Sequence, residues 1–253
     1  MNFGELLMSN SMFGEEDDPK DPKNPFAKEM RVLSKKNLPF DNKNALDLVR
    51  ASAKQTGIDP YFLYSSAFSE GMNKAIAKPD EVSEAYINAK VEGDYPVDAF
   101  FNYGVDKFSE YLPKIQKYLP KGFENSYKLY PAKNEIGEDI QTAAFRTNQD
   151  ALTAKAAIMM DTLSETDAYA KEKGIQLDDV SRKYFALARY NASPSTFKAM
   201  VDEYATSKDK EGFIKKGVYQ NKYGGKVHKN IYPRIENMSV AQSLLDENPL
   251  GNK

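Results

Sequence analysis

The stretch IDPYFLYSSAFSEGMN, residues 58–73, holds a single carboxylate, Glu70, inside a run that otherwise has the composition of an apolar helix face. Asp59 stands where a helix N-cap would and Pro60 at the first helical position. The stripe then runs Leu63, Ala67, Glu70 at i, i+4 and i+7, with Gly71 placed to end the helix. Burying an ionised carboxylate is costly unless it is paired, so Glu70 either meets a cation or keeps its proton. Near a helix C-terminus the backbone dipole adds partial negative charge to that desolvation, and both raise a carboxyl pKa. A raised pKa is the condition for a general acid at neutral pH. The competing reading is an edge glutamate that swings to solvent or pairs with an arginine.

Few other chemistries are open to the chain. It has no cysteine, which removes disulfides and thiolate metal sites, and a single histidine, His228, so no Ser-His-Asp arrangement is available except around that residue. His228 lies in GGKVHKNIY, a polar, Gly-rich stretch read as exposed surface without a role. The acidic run EEDDPKD lacks the spaced oxygen ligands and turn glycine of a calcium loop, and reads as solvated charge. No metal and no cofactor are expected. A formal net charge of -2 gives no basic field, so no nucleic-acid partner is indicated. No apolar run approaches the roughly 18 residues of a membrane span, which argues against membrane insertion. The first residues, MNFGELLMSNSMFGEEDD, lack the basic n-region of a secretion signal, so no signal peptide is expected.

A chain of 253 residues can bury one sizeable core. Residues 1–40 mix charge and proline with little apolar periodicity and read as an extended arm, either unfolded or docked on a partner through Phe3, Leu6, Leu7, Met8, Met12 and Phe13. Residues 41–248 read as one folded, mainly α (α+β) domain. Asp41 or Asn42 can cap a helix that buries Ala45, Leu46, Val49 and Ala53 and ends at Gly57. Residues 73–96 read as a polar connection or short irregular helices, and aromatic-rich helical spacing resumes around Gly104 and Pro113. SYKLYPAKNEIGEDIQTAAF has the alternation and the central turn of a small β-hairpin. Thr147 and Asp150 form a capping-box pattern ahead of a helix with the stripe Leu152, Ala156, Met159, Met160, Leu163. Asp178 caps a helix carrying Val180, Tyr184 and Leu187, and a further helix carries Phe197, Met200, Val201 and Tyr204. The segment from Asn237 to the end reads as a last short amphipathic helix with a frayed tail.

Two blocks carry a family resemblance. TGIDPYFLYSSAFSEG resembles the lytic transglycosylase and goose-type lysozyme pattern, in which a Gly-hydrophobic-Asp-Pro helix start leads to the catalytic glutamate; Glu70 falls on that residue. YFALARYNASPSTFKAM is similar to the family's Ala-x-x-Tyr-Asn-Ala-Gly motif and puts Tyr190 and Asn191 on residues that line the glycan cleft. Gly71 stands where the family has serine, and Ser193 where it has glycine. The intervening NYGVDKFSEY, NEIGEDIQTAAF and ALTAKAA look like segments of lysozyme-like domains in bacteriophage virion proteins, and YGVDKF puts Tyr103 and Asp106 at the cleft.

The resemblance implies a lysozyme-like helical domain with a small hairpin. It further implies a muramidase or lytic transglycosylase acting on the MurNAc-GlcNAc β-1,4 bond of peptidoglycan glycan strands. In that chemistry one glutamate protonates the glycosidic oxygen and then, as base, takes the proton of the sugar's own 6-hydroxyl. No second carboxylate stands in an apolar stripe as Glu70 does, and Asp98 and Asp106 are the nearest candidates. The implied setting is a virion-associated lysin acting at the bacterial cell wall or periplasm, its arm docked on other virion proteins. The alternative is a catalytically inactive structural or cargo virion protein that keeps the fold.

Overall fold

The computed structural model describes residues 43–69, 102–133, 139–217, 227–236 and 238. The arm at 1–40, Gly71, the connection at 73–96 and the C-terminal segment beyond Met238 lie outside the described residues. Of the described part 76% is helix and 8% strand, so the hairpin is an attachment on a helical body.

The first two helices are α1 (Lys43–Thr56) and α2 (Pro60–Ser69). Gly57, at φ 79°, ends α1 in the left-handed conformation that only glycine adopts without strain, and its N–H closes on the Ala53 carbonyl at 2.8 Å. Asp59 then caps α2, accepting from the backbone N–H groups of Tyr61 at 2.8 Å and Phe62 at 3.3 Å. Both caps follow the sequence pattern. The stripe on α2 does not: Phe62, Leu63, Tyr64, Ser65, Ser66 and Ala67 are all buried, so this helix has no solvent face along those residues.

Next come α3 (Asn102–Ile115), which accommodates Pro113 near its end, and a hairpin of β1 (Tyr127–Lys133) and β2 (Asp139–Phe145). The strands pair antiparallel with Tyr127 opposite Phe145 and Lys133 opposite Asp139. Phe108 of α3 meets Tyr127 and Phe145 edge to face, with ring centroids 4.8 and 5.0 Å apart, and the Ser109 hydroxyl donates to the Gln141 carbonyl at 2.5 Å. Those contacts seat the hairpin on α3.

The long helix α4 (Asn148–Glu172) is the central strut. Its capping box is complete: Thr147 accepts from the Asp150 N–H, and the Asp150 carboxylate accepts from the Thr147 N–H at 3.0 Å. Residues 151–159 are buried without a break, so α4 is wrapped on all sides over more than two turns. It packs against α1, α3 and α5 (Asp179–Asn191). A polar seam fixes the α1 register on it: Gln149 Nε2 donates to Ser52 Oγ at 2.6 Å, and Thr153 Oγ1 donates to Gln55 Oε1 at 3.0 Å. Asp178 caps α5 through the Ser181 N–H, as the sequence indicates.

Beyond α5 lie α6 (Pro194–Thr206) and α7 (Lys210–Lys216), and residues 227–236 are helical, labelled α8. On α6, Phe197, Met200, Val201 and Tyr204 are buried as the pattern predicts. The helix at 227–236 corrects the reading of GGKVHKNIY as exposed surface: Val227, Ile231, Tyr232, Ile235 and Met238 join the core and His228 is only 5% exposed. Lysines and glycines around His228, with Pro233 one turn on, obscure the i, i+4, i+8 series Val227, Ile231, Ile235.

Candidate functional site

Glu70 follows Ser69, the last residue of α2, and lies outside the described residues, as does Asp98. Tyr103 and Asp106 sit one turn apart in the first part of α3; their side chains are likewise outside the described part. Tyr190 and Asn191 close α5.

The two helices that carry the resemblance are joined near their starts. Asp59 uses one carboxylate oxygen to cap α2, and the other receives the ammonium of Lys183 on α5. Lys183 also pairs with Asp179 at 2.7 Å, and its side chain is 7% exposed. One shielded cation therefore holds the start of α2 against the helix that ends in Tyr190 and Asn191. Hydrogen bonds between charged partners are the stronger ones, and here a shielded ammonium serves two carboxylates that themselves reach solvent.

Tyr190 is placed differently from a cleft-lining ring. It is 2% exposed, and Lys155 of α4, itself 1% exposed, lies 4.5 Å from its ring centroid with Nζ 3.2 Å from its hydroxyl. That is a core tyrosine with a bonded hydroxyl. Asn191 turns its amide back to donate to the Leu187 carbonyl at 2.8 Å, satisfying a last-turn acceptor of α5 and leaving its own carbonyl oxygen to be offered elsewhere.

Asn191 does border a groove of about 480 Å³ between α3 and the α5–α6 turn, together with Tyr111, Lys114, Arg189 and Ser193. Ser193 caps α6 at φ -61°, a conformation open to any residue, so a glycine is not required there. Behind the groove an ion cluster ties three helices. Glu165 of α4 accepts from Lys114 of α3 at 3.0 Å and pairs with Arg189 of α5 at 2.5 Å, while Arg189 Nη1 donates to the Tyr111 hydroxyl at 3.3 Å. The Glu165 hydrogen bond raises the Lys114 pKa, and burial raises that of the Tyr111 phenol.

One turn before Glu165 is Asp161, 4% exposed, whose Oδ2 is buried without a hydrogen-bond partner. Burial, and then the neighbouring Glu165 charge, raise its pKa against the opposing pull of Lys114, Lys117 and Arg189. The sequence places no second carboxylate in an apolar stripe, yet the fold buries Asp161 outside one. The stripe pattern on α4 hid it, because Asp161 is adjacent in sequence to that stripe and its burial comes from α3 and α5 closing over the opposite side. Its one sequence signal is the Asp161–Glu165 spacing of i, i+4, which sets two like charges on one helix face.

The groove offers a guanidinium, an ammonium, the Glu110 carboxylate, an amide carbonyl and hydroxyls, a set that suits a ligand rich in hydroxyl and amide groups. Among the described residues no three His, Asp or Glu side chains come together as metal ligands, and no helix is long and apolar enough to cross a membrane. Set against protein-family models, curated proteins and solved structures, the chain matches none of them.

Proposed function

We propose that the chain cleaves the MurNAc-GlcNAc β-1,4 bond of peptidoglycan, with Glu70 as the single acid and base, in the manner of a lytic transglycosylase. The observation that supports this most directly is the Lys183 bridge. It joins the helix leading to Glu70 and the helix ending at Asn191, two blocks that lie far apart in sequence and that the resemblance requires to face one cleft. In the proposed reaction the Glu70 carboxyl gives its proton to the glycosidic oxygen as the C1–O bond breaks. The resulting carboxylate then takes the proton of the MurNAc 6-hydroxyl, whose oxygen bonds to C1 and closes an anhydro ring. The groove beside Asn191, Arg189 and Lys114 supplies polar contacts for the strand. Neither a cofactor nor a second carboxylate takes part.

The test compares wild type with Glu70→Gln on purified sacculi, by zymogram and by mass spectrometry of the released muropeptides. Clearing by wild type alone, with anhydro products, is the expected outcome; equal clearing by both, or none from folded wild type, removes the enzymatic reading.

A second reading draws on Tyr190 and Asn191. Both are engaged within the fold, one against Lys155 and one on the Leu187 carbonyl, and this suits a virion component that keeps the architecture without cleaving glycan. Under it, deleting residues 1–40 abolishes incorporation into particles and leaves the folded domain unchanged.

A further inference from the structure

The chain's only histidine is placed where a proton would be hardest to accept. His228 opens helix 227–236 and its ring is enclosed by three elements. From α5 the Tyr184 hydroxyl lies 2.6 Å from Nδ1. From its own helix Tyr232 stacks on it at 5.1 Å and 18°. From the end of α7 come the backbone at Lys215 and the bare Cα of Gly217, where a Cβ would overlap the imidazole. The charged groups nearby on α7 are already committed: the Lys215 ammonium pairs with Glu211 at 2.6 Å. Of these contacts none is a carboxylate; the Lys215 backbone hydrogen bond favours the protonated ring, but burial outweighs it. The same helix carries Val227, Ile231, Tyr232 and Ile235 into the core, so the histidine sits at the edge of its apolar docking face.

We propose that His228 is an acid-sensitive latch: the neutral imidazole seals helix 227–236 against α5 and α7, and a proton on the ring weakens that docking without loosening the α1–α4–α5 core.

The Tyr184 hydroxyl donates to Nδ1 only while that nitrogen is unprotonated. Proton entry turns Nδ1 into a donor, so the Tyr184 hydroxyl must reverse to accept from it, and places a charge in an enclosure of aromatic rings and backbone. Burial lowers the His228 pKa from 6.5 to about 4. A group whose folded pKa is depressed in this way leaves the docked state with fewer protons than the undocked one between those values, so docking strengthens as pH rises through that window and weakens as it falls. With an ordinary imidazole in the undocked state, the docking equilibrium drops about 20-fold from pH 7 to pH 5 and about 120-fold by pH 4.

Two measurements on the full chain test this. Because there is one histidine, its Cε1–H resonance needs no assignment: the expected titration midpoint lies well below 6, and an ordinary midpoint near 6.5 in the folded protein overturns the proposal. Hydrogen exchange with mass spectrometry, corrected for intrinsic rates, is then followed from pH 7 to pH 4 in wild type and in His228→Phe, which keeps an aromatic ring and cannot take a proton. Protection of peptides covering 227–238 should fall in wild type by the stated factors while α4 peptides hold theirs, and the fall should be absent in His228→Phe. A flat wild-type profile, a fall shared equally by α4, or the same fall in the variant each refutes the latch. Should His228→Phe not fold, Tyr184→Phe replaces it: loss of the donor to Nδ1 shifts the midpoint of the fall upward, and an unmoved midpoint counts against the proposal.

Discussion

Replacing Asp161 by Asn should stabilise the protein at neutral pH, and by an amount that depends on pH in one direction only. The carboxyl is 4% exposed and its Oδ2 has no hydrogen-bond partner. A buried polar atom left unsatisfied costs about 1–3 kcal/mol, and more when the group is charged. Lys114, Lys117 and Arg189 offset part of this, but Lys114 and Arg189 are already engaged by Glu165, and burial outweighs them in raising the Asp161 pKa. A net gain of about 1 kcal/mol at pH 7 is therefore expected for the isosteric neutral side chain, a rise in Tm of roughly 2–4 °C for a chain of this size. The sign of the pH dependence follows from the raised folded pKa. Wild type binds the extra proton in the folded state, so its stability declines as pH rises from the unfolded value of 3.8 through the folded pKa. Asn has no such dependence, and the advantage of the variant should grow over that range and vanish at the acid end. His228 acts with the opposite sign over about pH 4 to 6.5, but it is present in both proteins and cancels in the difference. Urea unfolding at a series of pH values measures the difference directly, with equal m-values as the check that only stability has changed. A variant less stable than wild type at pH 7 would show that the carboxylate is a needed member of the ion cluster, and the burial argument would fail.

Two further outcomes follow from the local geometry. Thr147→Ala opens the capping box of α4 and should cost about 1 kcal/mol in chemical denaturation; a loss under a few tenths would mean that the buried middle of α4 alone sets its start. Lys183→Met should cost about 1–2 kcal/mol, less than for a wholly buried pair because both carboxylates reach solvent. Hydrogen exchange should show the loss concentrated in the first turn of α2, and uniform loosening would argue that Lys183 matters only for its packed stem.

The features readable from the chain are those closed within a few residues. The caps at Asp59, Thr147 and Asp178, the glycine at 57 and the strand alternation around residues 127–145 each depend on bonds to partners at most four positions away or on period-2 spacing, so residue type and spacing suffice to specify them. The polar residues that matter inside the body are of another kind. Nothing near Asp161, Lys155 or His228 in sequence marks them as buried: α3 and α5 cover the first, Tyr190 lies over the second, and α5 with the end of α7 encloses the third. Tyr190 shows the same limit from the other side, since its motif position points to a cleft while the α4–α5 packing turns it inward.

The sequence by itself determined the mainly helical character and the hairpin seen among the described residues and the starts of α2, α4 and α5, and it singled out Glu70 as the carboxylate to test. Only the tertiary structure decided which charges lose their water, because desolvation is set by the elements that close over a side chain, and those come from 11 to 51 residues away along the chain.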